Sequence, residues 1–299
     1  METRYVACGV ALIVLAGCVG ERPEPERQMG DPGAFAAEAI APGVISTDEG
    51  ESWISFHPTM DLAVLGRHNE NWGEHTLYWT QLVDGEWSAP AVITFSGTFN
   101  DRGARFSPDG RYLYFSSDRP RPGSSEQGSF NIWRAPLSEE GWADLEYHPD
   151  ISSDEADYHP SVATDGTIYF ASRRDGGAGR SDIYRAVPVP GGYRVEALGP
   201  PINTERSEAD VFVDPEQRFI IFVRTDDPAG YGGDDLYYSE LTADGWSPPR
   251  NLGDAVNTPE YEYGPLLSWD GSRLYFTSHA PGQADLFEIA ASEVGIRPQ

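Results

Sequence analysis

The hydrophobic and polar positions of this 299-residue chain follow a pattern that recurs roughly every fifty residues. Each repeat opens with a phrase of small polar residues that ends in an acidic residue, and a short apolar strand follows. A turn marked by Asp-Gly or a substitute comes next, before a strand rich in aromatic and aliphatic residues, as in SPDGRYLYFSS and SWDGSRLYFTS. A Gly-rich loop then leads to a third strand, and a Gly-aromatic step begins a fourth.

Four antiparallel strands per unit, repeated along the chain, are typical of a β-propeller. Five copies are present, and the fifth lacks its fourth strand, which residues 36–47 are placed to supply. We therefore predict an all-β, five-bladed β-propeller in which an N-terminal strand closes the last blade. The predicted propeller covers residues 36–292 and is followed by a tail at 293–299. Its predicted blades are residues 48–95, 96–150, 151–200, 201–255, and 256–292 together with 36–47.

The acidic residue that ends each polar phrase stands at an equivalent position in all five copies. Innermost strands line the channel of a propeller, so we expect these carboxylates to form a ring near one channel mouth. Such a ring would favour a cation or a cationic ligand, because like charges repel one another. The structural alternative is that each carboxylate caps the entering loop or pairs with a local arginine. The five residues are Glu51, Asp101, Asp157, Glu208 and Glu262.

Strand order places the loops between second and third strands on the same face as these carboxylates. Arginines and histidines on these loops are candidates for binding a ligand, and Arg67 lies on the same face. Closure of the propeller would make His68 and His279 neighbours. One interpretation is that they bind a metal together with Glu51 or Glu262, and the other is that both histidines are solvated. We predict no metal and no cofactor. The candidate binding residues are Arg119, Arg173, Arg174, Arg224, His68 and His279.

The N-terminus has a basic residue, an apolar run and the sequence Leu-Ala-Gly-Cys ending at Cys18. This start resembles a bacterial lipoprotein signal, and the resemblance implies cleavage after residue 17 and lipidation of Cys18. An ordinary secretory signal with a chance cysteine is the alternative. Residues 18–35 are rich in Pro, Glu and Gly and are typical of a flexible tether.

The net charge of −27 restricts the kinds of partner that the protein can bind. Such a surface repels phosphate backbones, which argues against nucleic-acid binding. The acidity is also explained by solubility alone. Both cysteines lie in the first twenty residues, so the domain that follows has neither a free thiol nor a disulfide and depends on packing for its stability.

The phrases INT-x-x-x-E, SPDG-x-x-LYF-x-S-x-R and G-W-S-x-P-x-NLG, with a Gly-rich loop and D-I-Y between them, resemble a known family. They are similar to the TolB-type, WD-like propeller repeats of bacterial envelope proteins, over about residues 36–290. The resemblance implies a propeller fold in the cell envelope. It indicates little about function, since propellers carry unrelated functions.

From these patterns we expect a lipid-anchored, monomeric envelope propeller, with an outer-membrane location that faces the periplasm or the exterior. Its expected function is a non-catalytic binding or scaffolding module rather than an enzyme. The expected partner is an envelope protein, a peptide or a glycan on the loop face. The alternative is a glycan-active enzyme, glycosidase or lyase-like, that uses inward carboxylates of the channel. That alternative requires a dry, deep pocket with divided pKa values.

Overall fold

A computed structural model of the chain describes residues 35–69 and 73–297. The predicted signal peptide, the predicted lipidation site Cys18 and nearly all of the predicted tether lie outside the described residues. Five antiparallel sheets form the five blades of a β-propeller, so the predicted fold is confirmed. Within the part of the chain that is described, no helix is both long and apolar enough to cross a membrane.

Each blade begins with its innermost strand and continues outward, each strand antiparallel to the one before. Blade 1 contains β2 Gly50–Phe56, β3 Leu62–His68, β4 His75–Val83, β5 Glu86–Trp87 and β6 Ala91–Val92. Blade 2 contains β7 Asp101–Phe106, β8 Tyr112–Ser117, β9 Asn131–Ser138, β10 Gly141–Trp142 and β11 Glu146–Tyr147. Blade 3 contains β12 Asp157–Val162, β13 Ile168–Ser172, β14 Asp182–Val189 and β15 Gly192–Ala197.

Blade 4 contains β16 Ser207–Val213, β17 Phe219–Thr225, β18 Asp234–Thr242, β19 Gly245–Trp246 and β20 Arg250–Asn251. Blade 5 contains β21 Glu262–Leu267, β22 Arg273–Ser278 and β23 Asp285–Ala290, with a short 3-10 helix at Ala291–Val294 after it. The outermost strand is one continuous segment in blade 3. In blades 1, 2 and 4 it is divided into two short pieces that pair with the same third strand.

The fourth strand of blade 5 comes from the other end of the described chain. Strand β1, Glu38–Ala39, pairs antiparallel with β23. The amide of Ile40 donates to the carbonyl of Leu286 at 2.9 Å, and the Ser46 hydroxyl donates to the same carbonyl at 2.9 Å. The ring is thus closed by the N-terminal strand, as predicted.

Neighbouring blades are held together by apolar side chains of their second strands. Phe115, Phe170, Phe222 and Phe276 are equivalent residues of four blades, and all four are fully buried. Each belongs to a cluster that includes residues of the adjacent blade. Since no single four-stranded blade can bury both of its faces, the stability of every blade depends on the closed ring.

Replacing Ile40 with proline should weaken the closure. The change removes the amide that bonds Leu286 and a side chain that is only 6% exposed. We expect a loss of about 3 kcal/mol or more in the free energy of unfolding, measured by urea denaturation of the full chain. Glu38→Ala, an exposed change in the same strand, should stay within about 0.5 kcal/mol. Equal stability of Ile40→Pro and the wild type would contradict closure by this strand.

Candidate functional site

The five equivalent carboxylates are fully buried, and each is bound inside its own blade. In every case a Ser or Thr hydroxyl that precedes the carboxylate by four or five residues donates to it, at 2.5–3.0 Å. These contacts agree with the alternative to a ligand-binding ring, in which each carboxylate caps the loop that enters its blade. None of the five lines the cavity described below. The hydroxyl donors are Thr47, Ser96, Ser153, Thr204 and Thr258.

Four of these carboxylates also pair with an arginine of the same blade. The nitrogen–oxygen distances are 3.2 Å for Arg67–Glu51, 2.6 Å for Arg119–Asp101, 2.7 Å for Arg174–Asp157 and 3.0 Å for Arg224–Glu208. Buried charges are stable only when paired in this way. The guanidinium groups of three predicted binding residues, Arg119, Arg174 and Arg224, are therefore occupied within the blades.

The other predicted binding residues lie elsewhere on the loop face. Arg173 is exposed, with its guanidinium 5.4 Å from the ring centre of Tyr158. His68 and His279 are half-buried, and His279 borders the cavity described below. Among residues 35–69 and 73–297, no three His, Cys, Asp or Glu side chains are grouped to hold a metal ion.

Blade 5 departs from this arrangement because its carboxylate, Glu262, has no arginine partner among the described residues. Ala280 stands two residues after Ser278, where Arg119 and Arg174 stand two residues after the equivalent serines. Thr258 and Ser278 donate to the Glu262 carboxyl. These hydrogen bonds lower the pKa of Glu262, but burial raises it by more, so the pKa is about 7.

The innermost strands share a second feature, a β-bulge that begins two residues after the carboxylate. In all five blades the pairing with the second strand shifts at this point. The residue two positions after the carboxylate has left-handed backbone, with φ between 47° and 64°. Bulky residues rarely adopt this conformation, and those that do cluster at functional sites. The five residues are Trp53, Gly103, His159, Asp210 and Gly264.

The three non-glycine residues of this set meet at the centre of the ring. Trp53 stacks on His159, with ring centres 4.8 Å apart. The indole Nε1 of Trp53 donates to Asp210 at 2.8 Å, and Nδ1 of His159 contacts the other oxygen of the same carboxylate. The amide of Gly264 also donates to Asp210, at 3.1 Å. Side chains from three blades thus form one hydrogen-bonded cluster.

Glycine at the other two positions makes room for this cluster. A Cβ on Gly103 would lie 2.2 Å from Cδ2 of His159, and a Cβ on Gly264 would lie 2.8 Å from Cδ1 of Trp53. Both glycines also have the positive φ of the bulge. Larger residues at either position would displace the central rings.

A cavity of about 530 Å³ opens above the cluster, between blades 4 and 5. Below the cluster, the guanidinium of Arg105 crosses the channel and donates to the carbonyls of Ile54, at 3.0 Å, and Pro265. The cavity therefore has a floor, and its volume suits a small ligand or part of a chain. Its lining contains Trp53, Arg102, His159, Ala209, Asp210, Val223, Thr225, Asp234, Tyr261, Tyr263 and His279.

The titratable groups in this lining have different pKa values. Burial raises the pKa of Asp234 to about 6, and the negative charge of Asp210 contributes to the increase. Burial alone would raise the pKa of Asp210 as well, but His159, Trp53 and Arg105 more than compensate, so its pKa is lowered. Near neutral pH Asp210 is thus ionised, whereas Asp234 retains a proton into the mildly acidic range.

Burial also lowers the pKa of His159, against the attraction of Asp210. The imidazole is then neutral near pH 7, with its proton on Nδ1, because the ionised carboxylate only accepts hydrogen bonds. The other nitrogen, Nε2, is left as an acceptor, and it has no hydrogen-bond partner among the described residues. An imidazole oriented in this way by a carboxylate can take a proton from water.

The repeat pattern does not reveal this cluster, because its residues do not recur from blade to blade. Trp, Gly, His, Asp and Gly occupy one equivalent position of the five repeats, two residues after each carboxylate. The sequence signal for the cluster was this variation in residue type at a position that faces the channel. The divided pKa values that the enzymatic alternative requires occur at Asp210 and Asp234 rather than in the predicted carboxylate ring.

The fold is similar to that of known β-propeller enzymes. The catalytic domain of Coprinopsis cinerea GH62 α-L-arabinofuranosidase matches with a TM-score of 0.52 and 13% identity, over 86% of this chain and 96% of that one. A gluconolactonase from Xanthomonas campestris matches with a TM-score of 0.46 and 12% identity, over 89% and 94%. Kuenenia stuttgartiensis hydrazine synthase matches with a TM-score of 0.49 and 13% identity, over 83% and 38%.

The chain spans well under half the length of several similar solved chains, including the hydrazine synthase. No protein-family model matches the sequence, and neither does any curated protein. The TolB-type resemblance and the lipid anchor stay predictions. At these identities the likeness shows the fold alone.

These comparisons correct the expected function. The prediction that the protein is not an enzyme is contradicted by the match to the GH62 catalytic domain, an enzyme that shares this fold over 86% of the present chain. The sequence led to that prediction because its repeated residues are structural and it contains no familiar catalytic motif. The reaction has to be inferred from the cavity.

Glu262→Gln should make the protein more stable at alkaline pH. The carboxyl has a higher pKa in the folded than in the unfolded chain, so its stabilising effect is complete below pH 4.5 and is lost as the pH rises through about 7. Glutamine, which is not titratable, avoids that loss. In urea denaturation the variant should match the wild type near pH 5 and exceed it by about 2 kcal/mol at pH 8.

Glu208→Gln is the matched control, because Glu208 pairs with Arg224. This change leaves a buried guanidinium without its carboxylate and should destabilise the protein at both pH values, by about 3 kcal/mol. A pH-independent effect of Glu262→Gln would show that Glu262 does not retain its proton in the folded protein.

Proposed function

We propose that this propeller is a glycan-active hydrolase whose active site is the cavity above Trp53, His159 and Asp210. The observation that carries the proposal is the His159–Asp210 pair, held on left-handed backbone at the base of a cavity that a second carboxyl group, Asp234, also borders. The GH62 α-L-arabinofuranosidase is a glycan-active enzyme with a similar fold, so the fold is compatible with this chemistry.

The cavity walls suit a sugar. Trp53, Tyr261 and Tyr263 present aromatic surface on one side, and apolar faces of sugar rings pack on such surfaces. Tyr261 is 49% exposed and stands at the entrance, while Trp53 is 4% exposed and lies at the base. Polar side chains, among them His159, Asp210 and Asp234, share this lining and can orient the hydroxyl groups of a sugar.

Acid–base catalysis by these groups leads to a single displacement. Nε2 of His159 takes a proton from a water molecule as the water oxygen bonds to the anomeric carbon. The bond from that carbon to the leaving oxygen breaks, and Asp234 gives its proton to the leaving oxygen. Asp210 stays ionised throughout, holding the proton of His159 on Nδ1 and stabilising the imidazolium that forms. Proton exchange with solvent restores both groups.

One oxygen of Asp234, Oδ1, is buried without a hydrogen-bond partner among the described residues. Leaving a buried polar atom unpaired is costly, and such atoms in a cavity often await a ligand. The proposed contact with the leaving oxygen would satisfy it. The strand position also fits, because Asp234 begins β18 and forms a backbone bridge to Tyr261 at the cavity entrance.

Asp234→Asn and His159→Gln should each lower kcat/KM by about 10²–10⁴-fold, since each removes one proton transfer. The measurement is reducing-end release from a panel of neutral and uronate-containing oligosaccharides. Asp244→Asn, an exposed carboxylate change in a turn of the same blade, should leave kcat/KM unchanged. Failure of the wild type to act on any member of the panel would reject the proposed function.

The pH profile of kcat/KM should have its maximum in the acidic range. The rate should fall as the pH rises through about 6, where Asp234 ionises. It should also fall at low pH, as His159 becomes protonated with a pKa below its ordinary 6.5. The residual activity of Asp234→Asn should lack the fall above pH 6. An alkaline maximum, or an unchanged profile in that variant, would exclude Asp234 as the acid.

A further inference from the structure

Arg102 lines the cavity and differs from the other buried arginines of this protein. It lies one residue after the carboxylate of blade 2 and directly before the bulge. Its guanidinium lies against two aromatic rings, with its central carbon 3.8 Å from the ring centre of Phe130 and 4.6 Å from that of Tyr158. The two ring centres are 5.4 Å apart, so the rings are neighbours and the guanidinium contacts both from one side.

The charge of Arg102 has no carboxylate within ion-pairing distance among the described residues. Its Nε is buried and without a hydrogen-bond partner in the same part of the chain. Burial lowers the pKa of Arg102, and Tyr158 and Asp210 only partly oppose this effect. By contrast, Arg67, Arg119, Arg174 and Arg224 pair with carboxylates, and Arg105 donates to two carbonyls. A partly buried cation that has an unpaired Nε–H and no neighbouring carboxylate among the described residues favours an anion from outside.

Accepting the proposed function, we propose that the substrate is an acidic glycan and that a sugar carboxylate binds the guanidinium of Arg102. A carboxylate is planar and can accept two parallel hydrogen bonds from a guanidinium. The exposed Arg173 lies near the same Tyr158 ring and adds positive charge close to Arg102. Arg102 and Arg173 thus place two positive charges close together on a protein whose net charge is −27.

The single charge of a carboxylate suits this cavity better than a phosphate does. Asp210 is ionised in the same lining, and Asp234 ionises above about pH 6. A doubly charged phosphate would be repelled about twice as strongly by these carboxylates and would gain only one guanidinium. Arg102 is thus a binding residue that selects uronate sugars, whereas His159 and Asp234 perform the proton transfers.

The test compares acidic oligosaccharides with their uncharged derivatives. Oligogalacturonate and oligomannuronate, each alongside its methyl ester, are titrated by calorimetry into the Asp234→Asn protein, in which turnover is suppressed. For at least one sugar, the free acid should bind at least about tenfold more tightly than the ester. Adding Arg102→Gln should bring that ratio close to one, with little change in the affinity for the ester.

Two further variants control for structure and for general electrostatics. Arg102→Lys keeps the charge without the planar pair of donors and should retain part of the preference. Arg111→Gln removes an arginine whose side chain is 77% exposed, in a turn that does not border the cavity, and should leave the ratio unchanged. Thermal unfolding followed by circular dichroism establishes that each variant is folded.

The outcomes separate this inference from the proposed function. Equal binding of acid and ester, binding of neither, or a preference that survives Arg102→Gln overturns the assignment of Arg102. Turnover of neutral glycans without a preference for acids keeps the hydrolase and rejects the acidic substrate. A preference for acids that depends on Arg102, without turnover of any glycan by the wild type, keeps the binding site and rejects the hydrolase.

Discussion

The architecture depends on a buried carboxylate at the start of every innermost strand. A carboxylate without solvent is tolerated only when hydrogen bonds and an opposite charge replace the lost water. Each blade supplies its own Ser or Thr donors, and four of the five supply an arginine. Because these contacts are internal to a blade, they fix where the innermost strand begins and how it pairs with the second strand. They leave no carboxylate of this set available to a ligand.

That fixed start determines what the channel contains. The bulge begins two residues after the carboxylate, so the two residues that follow the carboxylate in each blade lie around the upper mouth of the ring. Five equivalent large side chains could not fit there. Two glycines leave the space that Trp53, His159 and Asp210 fill, and Arg105 closes the channel beneath them. The repeat therefore supplies an identical frame five times, and function resides in the residues that differ between copies.

This division explains what the sequence could and could not predict. The number of blades, the strand order and the closing strand follow from residues that recur, such as the Asp-Gly turns and the aromatic second strands. The left-handed residues of the bulge could not be predicted at Trp53, His159 and Asp210, because the usual signal for that conformation is Gly or Asn. Asp234 appeared in a Gly-rich hairpin loop, and only the ring brings it near Asp210. The carboxylates that the repeat made conspicuous proved to be bound within their blades.

Several exceptions to the rules of this fold lie at or beside one cavity. Trp53 has backbone that bulky residues avoid. Within the described part of the chain, Arg102 has no carboxylate partner and Oδ1 of Asp234 is buried without a hydrogen-bond partner. Glu262 lacks the arginine of the other blades and precedes Tyr263, which lines the same cavity. Each exception costs stability, and natural proteins retain such costs mainly where function requires them. Trp53, Arg102, Asp234 and Tyr263 come from four different blades and yet border one cavity. Their meeting there is a physical reason, independent of any similar protein, to place the chemistry in that cavity.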